Sequence, residues 1–333
     1  MKKQCCSQTP GISLALGGGG ARALSNLGVL QVLEEQKIPI AAIAGTSMGA
    51  VIGSLYARHN SAAKVTTILH DIDWRPLRYL LDLRFPLMGL VSGGKVLGLF
   101  RALLEDANFS DLLIPFAAVA TDIKTGETVE INQGDIASAV QASIAIPMLF
   151  SPVKHGGRLL VDGGLTEPTP APTARNLGNK VGASCVVAVD ITPSPTSRRR
   201  MSSRIPSQLV WDVSEQEKAA TSKLIKNVSQ WLQEQALRFA PSGTARNRFY
   251  RMWSTLMPGQ TSDRLSVLEV AIQTTNILRH SVAQLALADA DIVIKPGGDN
   301  IGALDFAHAG EAVAMGREAA MTAIPKILEH INS

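Results

Sequence analysis

The 333-residue chain reads as an α/β domain built around a central sheet, and three features predict it. Short apolar runs recur at Ile12 to Leu16, Ile40 to Ala44, Phe116 to Thr121, Thr128 to Ile131, Leu159 to Val161, Cys185 to Ile191 and Ala290 to Ile294, with helical stretches between most of them. Two of these runs stop in glycine, at Gly17-Gly18-Gly19-Gly20 and at Gly45-Thr46-Ser47-Met48-Gly49. The apolar content of 46% is enough for a large core.

The first unit is Ile12-Ser13-Leu14-Ala15-Leu16, a strand, followed by the glycine run and a helix ending near Gln36 whose buried stripe is Leu24, Leu27, Leu30 and Leu33. Such a run offers bare backbone N–H groups that can hold a developing oxyanion. A dinucleotide-binding loop is the alternative, but Gly18 and Gly20 are followed by Ala23 where that fingerprint has its last glycine, and no acid lies in Ile38 to Ala44 to take a ribose. Nucleotide binding is therefore the weaker reading.

The second unit places Ser47 between a strand and a helix. Ile40-Ala41-Ala42-Ile43-Ala44 is short and apolar, as a strand buried on both faces of a parallel sheet would be. Met48 to His59 lacks proline, and Gly49, Gly53 and Ala57 recur at spacing four, which makes a helix with one thin face. Gly45 and Gly49 flank the serine on a turn too tight for side chains, and the hydroxyl faces the N-terminus of that helix, where anions are favoured. A G-x-S-x-G string alone arises by chance; the strand-turn-helix setting is what gives it weight.

A nucleophilic serine needs a base. None of the six histidines, His59, His70, His155, His280, His308 and His330, lies in a strand-end context that would make it the obvious partner. Asp162 does, in Arg158-Leu159-Leu160-Val161-Asp162-Gly163-Gly164, where nothing bulky follows the carboxylate. An aspartate of an ordinary turn fits that spacing equally well.

Three blocks in this order, Gly18-Gly19-Gly20-Ala21-Arg22, Gly45-Thr46-Ser47-Met48-Gly49 and Asp162-Gly163-Gly164, closely resemble the patatin-like phospholipase family. The likeness continues through Leu112 to Phe116, Ala120 to Glu127 and Ala142-Ser143-Ile144-Ala145-Ile146-Pro147, and spans about residues 11 to 193, resuming near residue 289. The resemblance implies a three-layer α/β/α sandwich with a mostly parallel sheet and a lipid acyl-ester hydrolase of the phospholipase A or lysophospholipase kind. It further implies a Ser-Asp dyad, with Ser47 as nucleophile, Asp162 as its base, and Gly18, Gly19, Gly20 and Arg22 as the oxyanion-hole segment. Arg22 has two readings: positive charge beside the oxyanion or a lipid phosphate, or a tie from the loop to a backbone carbonyl or acid. Two positions depart from the family pattern, Ala23 for glycine and Asn26 for histidine. A positive φ at Ala23 would distort the loop. That, with the long basic insertion, motivates the alternative of a catalytically weak or silent lipid- or protein-binding regulator on the same fold.

By this reading residues 1–10 are an N-terminal tail, 11–193 the catalytic core, 194–262 a basic helical insertion or cap, and 263–333 the helices and strand that complete the core. The break is marked by Thr192-Pro193-Ser194-Pro195-Thr196-Ser197 and Arg198-Arg199-Arg200. Residues 195–260 hold 11 Lys plus Arg against 4 Asp plus Glu, in a chain whose net charge is +4. With Trp231 and Trp253 they suit docking on an anionic membrane surface, or equally a cap whose basic face is solvated. The stretch Trp74 to Phe85 is read as a lid or acyl-chain wall, or as core packing. The positive charge carries no groove-reading motif, so no nucleic acid is expected. Cys5, Cys6 and Cys185 form neither a disulfide framework nor a metal pattern, and no His, Cys or carboxylate cluster has ligand spacing, so no metal or other cofactor is expected. With no apolar signal segment after Met1-Lys2-Lys3 and no apolar run of about 18 residues, the expected place is the cytoplasm, peripheral to a membrane.

Overall fold

The structure, a computed structural model, describes residues 11–71, 93–147, 150–193, 267–299, 301–303 and 305–332. Cys5, Cys6, the Trp74 to Phe85 stretch and the basic segment 194–262 lie outside the described residues.

Among the described residues eight strands form one sheet: β1 (Ile12–Leu16), β2 (Ile40–Thr46), β3 (Phe116–Asp122), β4 (Thr128–Ile131), β5 (Val153–His155), β6 (Arg158–Asp162), β7 (Val186–Val189) and β8 (Ile292–Ile294). Their order is β5-β6-β3-β2-β1-β7-β8, with β4 paired to β3 off this path. The run from β3 to β8 is parallel, while β6 and β4 pair antiparallel with β3, and β5 with β6. The helices are α1 (Ser25–Glu35), α2 (Met48–His59), α3 (Ala62–Asp71), α4 (Gly93–Leu104), α5 (Ile136–Ser143), α6 (Ala171–Val181), α7 (Val267–Ala286) and α8 (Ala309–Asn332). This is the mostly parallel three-layer α/β/α sandwich that the sequence predicts. One strand, β5, has no counterpart in the sequence reading: its three residues are too few to show alternation.

The two faces of the sheet differ in side-chain size. Alternation along β1 sends Ile12, Leu14 and Leu16 to one face, where they join Ile43 of β2, Leu24 just before α1, the α1 stripe Leu27, Leu30 and Leu33, and Ile52 and Leu55 of α2 in the main core. The opposite face is built from alanine: Ala15, Ala44 and Ala188 meet Ala171 and Ala174 of α6. Small residues let α6 settle close to the strands, so that Ser13 Oγ donates to Ala174 O at 2.6 Å and a Cβ on Gly178 would come within 2.7 Å of Ser13 Cβ.

The C-terminal helix uses the same device. Where α8 crosses α1, a Cβ on Gly28 would overlap the carbonyl oxygen of Val313, and one on Gly316 the carbonyl oxygen of Ser25. The crossing is clamped at the surface by Arg317, whose Nη1 and Nη2 donate to Glu35 Oε1 and Oε2 at 2.7 and 2.9 Å. An exposed pair of this kind contributes a few tenths of a kcal/mol at most, so backbone contact carries the crossing. No helix among the described residues is long and apolar enough to cross a membrane.

Gly316→Val should therefore force α8 off α1 and lower the unfolding free energy by about 2 kcal/mol in a urea titration. An unchanged midpoint would show that the crossing has slack.

Candidate active site

Ser47 caps α2 with φ 56° and ψ −124°, close to the mirror image of an extended conformation. These are the angles of the first central residue of a type II′ turn, a glycine position, and they cost a residue with a Cβ about 1–3 kcal/mol. Crowding on both sides explains why the turn persists. A Cβ on Gly45 would sit 2.6 Å from Gly49 O and 2.7 Å from Ala50 Cα, and one on Gly49 would overlap the Leu16 carbonyl oxygen. The start of α2 thus rests directly on the end of β1. The turn is held from outside as well: Ser47 N–H donates to Ser143 Oγ at 2.8 Å, and that hydroxyl donates to Val119 O at 2.6 Å. Thr46 Oγ1 donates to Glu167 O at 2.7 Å.

Sheet register brings the aspartate to this turn. Thr46 of β2 is paired with Val119 of β3, and the next residue of β3, Ala120, is paired with Asp162 of β6. Ser47 and Asp162 therefore flank the same end of β3, about two strand spacings, or roughly 10 Å, apart in backbone, and their side chains close the gap. Ser47 Oγ donates to Asp162 Oδ2 at 2.7 Å. Asp162 Oδ1 accepts from Gly164 N–H at 2.7 Å, and the Asp162 carbonyl accepts from Thr121 Oγ1. Both members are nearly sealed from solvent, Ser47 at 6% and Asp162 at 3% exposure. Burial pushes the Asp162 carboxyl above its ordinary value; the Arg279 guanidinium, the Ser47 hydroxyl and Gly164 N–H each pull it back down.

The glycine run folds over the serine. A Cβ on Gly18 would lie 2.9 Å from Ser47 Cβ and from Thr46 O. The run is not a row of equal donors. Gly17 N–H donates to Val189 O at 3.1 Å and Gly18 N–H to Pro168 O at 2.9 Å, because the loop is stitched to its neighbours. Gly18 serves by lacking a side chain. The N–H groups of Gly19 and Gly20 have no backbone acceptor among the described residues. Gly20 itself has φ 60° and abuts the Ala303 carbonyl. Arg22 Nη1 donates to Ile301 O at 2.9 Å, the tie to a backbone carbonyl that was one of its two readings.

Ala23 falls in a 3-10 turn, Gly20–Leu24, fully buried and without a positive φ, so the departure from glycine leaves the loop undistorted. Asn26 Nδ2 donates to Gly17 O at 3.0 Å and steadies the start of the run. Gly163 has its Cα against the Val119 carbonyl, with no room for a Cβ, and Gly164 stands beside Arg279. Arg279, on α7, was not foreseen from the sequence. It lines a cleft with Gly18, Gly19, Arg22, Thr192 and Pro193. The roles of Ser143 and Thr46 were missed too; the one signal was a hydroxyl in a mostly apolar run, as in Ala139-Val140-Gln141-Ala142-Ser143. Among the described residues no group of three or more His, Cys, Asp or Glu could hold a metal ion.

Relief of the strained turn is measurable. Ser47→Gly should be more stable than Ser47→Ala by about 1 kcal/mol in parallel denaturant titrations, since glycine adopts these angles freely while alanine keeps the strain. Equal stabilities would mean that the turn stores nothing.

Comparison with known proteins places the chain. The patatin-like phospholipase family model matches residues 14–175. An uncharacterised NTE family protein of Mycobacterium bovis is 30% identical over 350 aligned positions, covering 96% of this chain and 92% of that protein. Human patatin-like phospholipase domain-containing protein 6 is 34% identical over 187 positions, 54% of this chain and 13% of that protein. Among solved structures, VipD from Legionella pneumophila superposes with a TM-score of 0.52 at 14% identity, over 96% of this chain and 67% of that one, a likeness of fold. The chain belongs to the patatin-like phospholipase family.

Proposed function

We propose that this protein is a serine hydrolase of lipid acyl esters that works through a Ser47–Asp162 dyad. The observation that carries the reading is the 2.7 Å bond from Ser47 Oγ to Asp162 Oδ2, made by a strained serine at the N-terminus of α2 beneath a glycine loop.

In the first half-reaction Ser47 Oγ bonds to the ester carbonyl carbon as its proton passes to Asp162 Oδ2. The carbonyl oxygen takes the negative charge and receives the N–H groups of Gly19 and Gly20. Collapse breaks the bond to the leaving alcohol, which takes the proton from Asp162, and an acyl-serine remains. Water then adds to the acyl carbon, giving its proton to Asp162. The carboxylic acid leaves as the C–Oγ bond breaks and Ser47 recovers its proton. An ordinary carboxylate is a weak base for an alcohol; one pushed upward by burial is a better one. Lipid phospholipase or lysophospholipase substrates are the class we favour, from the family and the chemistry together, with docking on anionic membranes assigned to residues 195–260. The silent-regulator alternative drew on Ala23 and on the long basic insertion; the geometry of Ala23 does not favour it, and the insertion lies outside the described residues.

The test is intact-protein mass after a fluorophosphonate probe. A single adduct should form on wild type and none on Ser47→Ala; an adduct that survives in Ser47→Ala sinks the dyad. Asp162→Asn should slow labelling by about 10²–10⁴-fold, the usual worth of a general base.

The same variant should be more stable than wild type. A folded-state carboxyl value raised above the unfolded one means that ionisation costs stability, a cost absent at low pH and felt as pH rises through the folded value. Removing the charge should gain about 1 kcal/mol at pH near 8 and nothing in acid, read from melting at both pH values. A less stable Asp162→Asn at both would show that Asp162 holds the fold together instead.

A further inference from the structure

The buried carboxylate of Asp162 has given up its hydration for two donors, Ser47 Oγ and Gly164 N–H. Two neutral hydrogen bonds are thin support for a charge sealed at 3% exposure, so a countercharge nearby would decide whether it is ionised. One is there. A Cβ built on Gly164 would lie 2.6 Å from Arg279 Nη2, 2.8 Å from Arg279 Cζ and 2.8 Å from Asp162 Oδ1, so the guanidinium and the carboxylate border one and the same point. The absent side chain of Gly164 is the space across which they face each other. They do not form a direct ion pair.

The other elements around Asp162 present neutral groups. The turn after β2 brings the Ser47 hydroxyl, β3 the Thr121 hydroxyl, and the loop after β6 the Gly164 amide. Among the described residues Arg279 is the one charged group that acts on it. Its helix, α7, also delivers it to the cleft beside Gly18 and Gly19, on the same side as the serine.

We infer that Arg279 is a positioning residue of the active site, its guanidinium holding Asp162 across Gly164 in the ionised, serine-facing state that proton transfer from Ser47 needs. The inference rests on the dyad reading above. It also gives Gly164 a reason: any larger residue would drive the guanidinium from its place.

The experiment measures the rate of fluorophosphonate labelling of Ser47 from about pH 4 to 9 in wild type, Arg279→Met and Arg279→Lys. In wild type the rate rises as Asp162 loses its proton. Without the positive charge the carboxyl holds that proton to higher pH, so the midpoint in Arg279→Met should move up by about one pH unit. Labelling should then fall about tenfold below the wild-type midpoint and converge with wild type at the alkaline end. Arg279→Lys, which keeps the charge, should recover most of the shift. Arg279→Gln serves the same comparison where Arg279→Met fails to fold. A folded, uncharged variant whose profile overlays wild type overturns the inference, and so does a uniform drop at every pH with an unmoved midpoint, the signature of lost substrate contact or packing. Labelling that persists in Ser47→Ala marks a different failure, that of the dyad itself.

Discussion

Backbone contact without side chains between is the constraint on which the site is built. The first turn of α2 lies on the last residues of β1, with Gly49 against the Leu16 and Gly17 carbonyls and Gly45 against Gly49 and Ala50. This leaves Ser47 no conformation but a strained one, with its hydroxyl raised toward β6. The glycine run closes over the same point because Gly18 also lacks a Cβ. A bulky residue at any of these positions would separate β1 from α2 by the thickness of a methyl group, and the nucleophile, the loop and the base would each move. The strain of about 1–3 kcal/mol at Ser47 is small beside the burial of the core that surrounds it, so it is held there at every moment.

The second constraint is electrostatic. A carboxylate shut away from water favours its protonated form, and a protonated Asp162 cannot take the proton of Ser47. Donors and a countercharge must offset burial without cancelling it. Ser47 Oγ and Gly164 N–H each satisfy one carboxylate oxygen, and Thr121 fixes the peptide behind them. Geometry and charge therefore converge on the short segment Asp162 to Thr169. It supplies the proposed base, it gives Glu167 O to Thr46 of β2, and it gives Pro168 O to the glycine loop.

What was legible in the sequence is what is local. Glycines needed by a turn sit within a few residues of it, so the strands β1 and β2, the helix Met48–His59 and both loops could be placed from spacing. The serine stood out for the same reason. Asp162 was only half legible: a strand-end aspartate before two glycines fits an ordinary turn, and the register that aligns it with Ala120, beside Val119 and Thr46, is a property of the sheet. Ser143, Thr46 and Arg279 were out of reach because their partners lie 96, 121 and more than 100 residues away in sequence. The assignment of donors within Gly17 to Gly20 was out of reach too, since it depends on Val189 and Pro168 meeting the loop.

The two arginines of the cleft take different parts in the proposed site. Arg22 spends a hydrogen bond on Ile301 O, in the segment that also receives Ala21 N–H at Ala303 O, and so fixes the outer wall of the oxyanion loop. Arg279 faces the base across Gly164. In the proposed dyad, as Ser47 attacks, the single negative charge of the site would leave Asp162 for the carbonyl oxygen, with the proton arriving on the carboxylate. A guanidinium bonded directly to Asp162 would stabilise the starting charge so well that it opposed this transfer, lowering the basicity that makes the carboxylate useful. Held one glycine away, it can favour ionisation while leaving Oδ2 to the serine alone. On this proposal the separation set by Gly164 would be as much a part of the base as the carboxylate is, and a glycine that the sequence marks only as a turn would be the residue that tunes it.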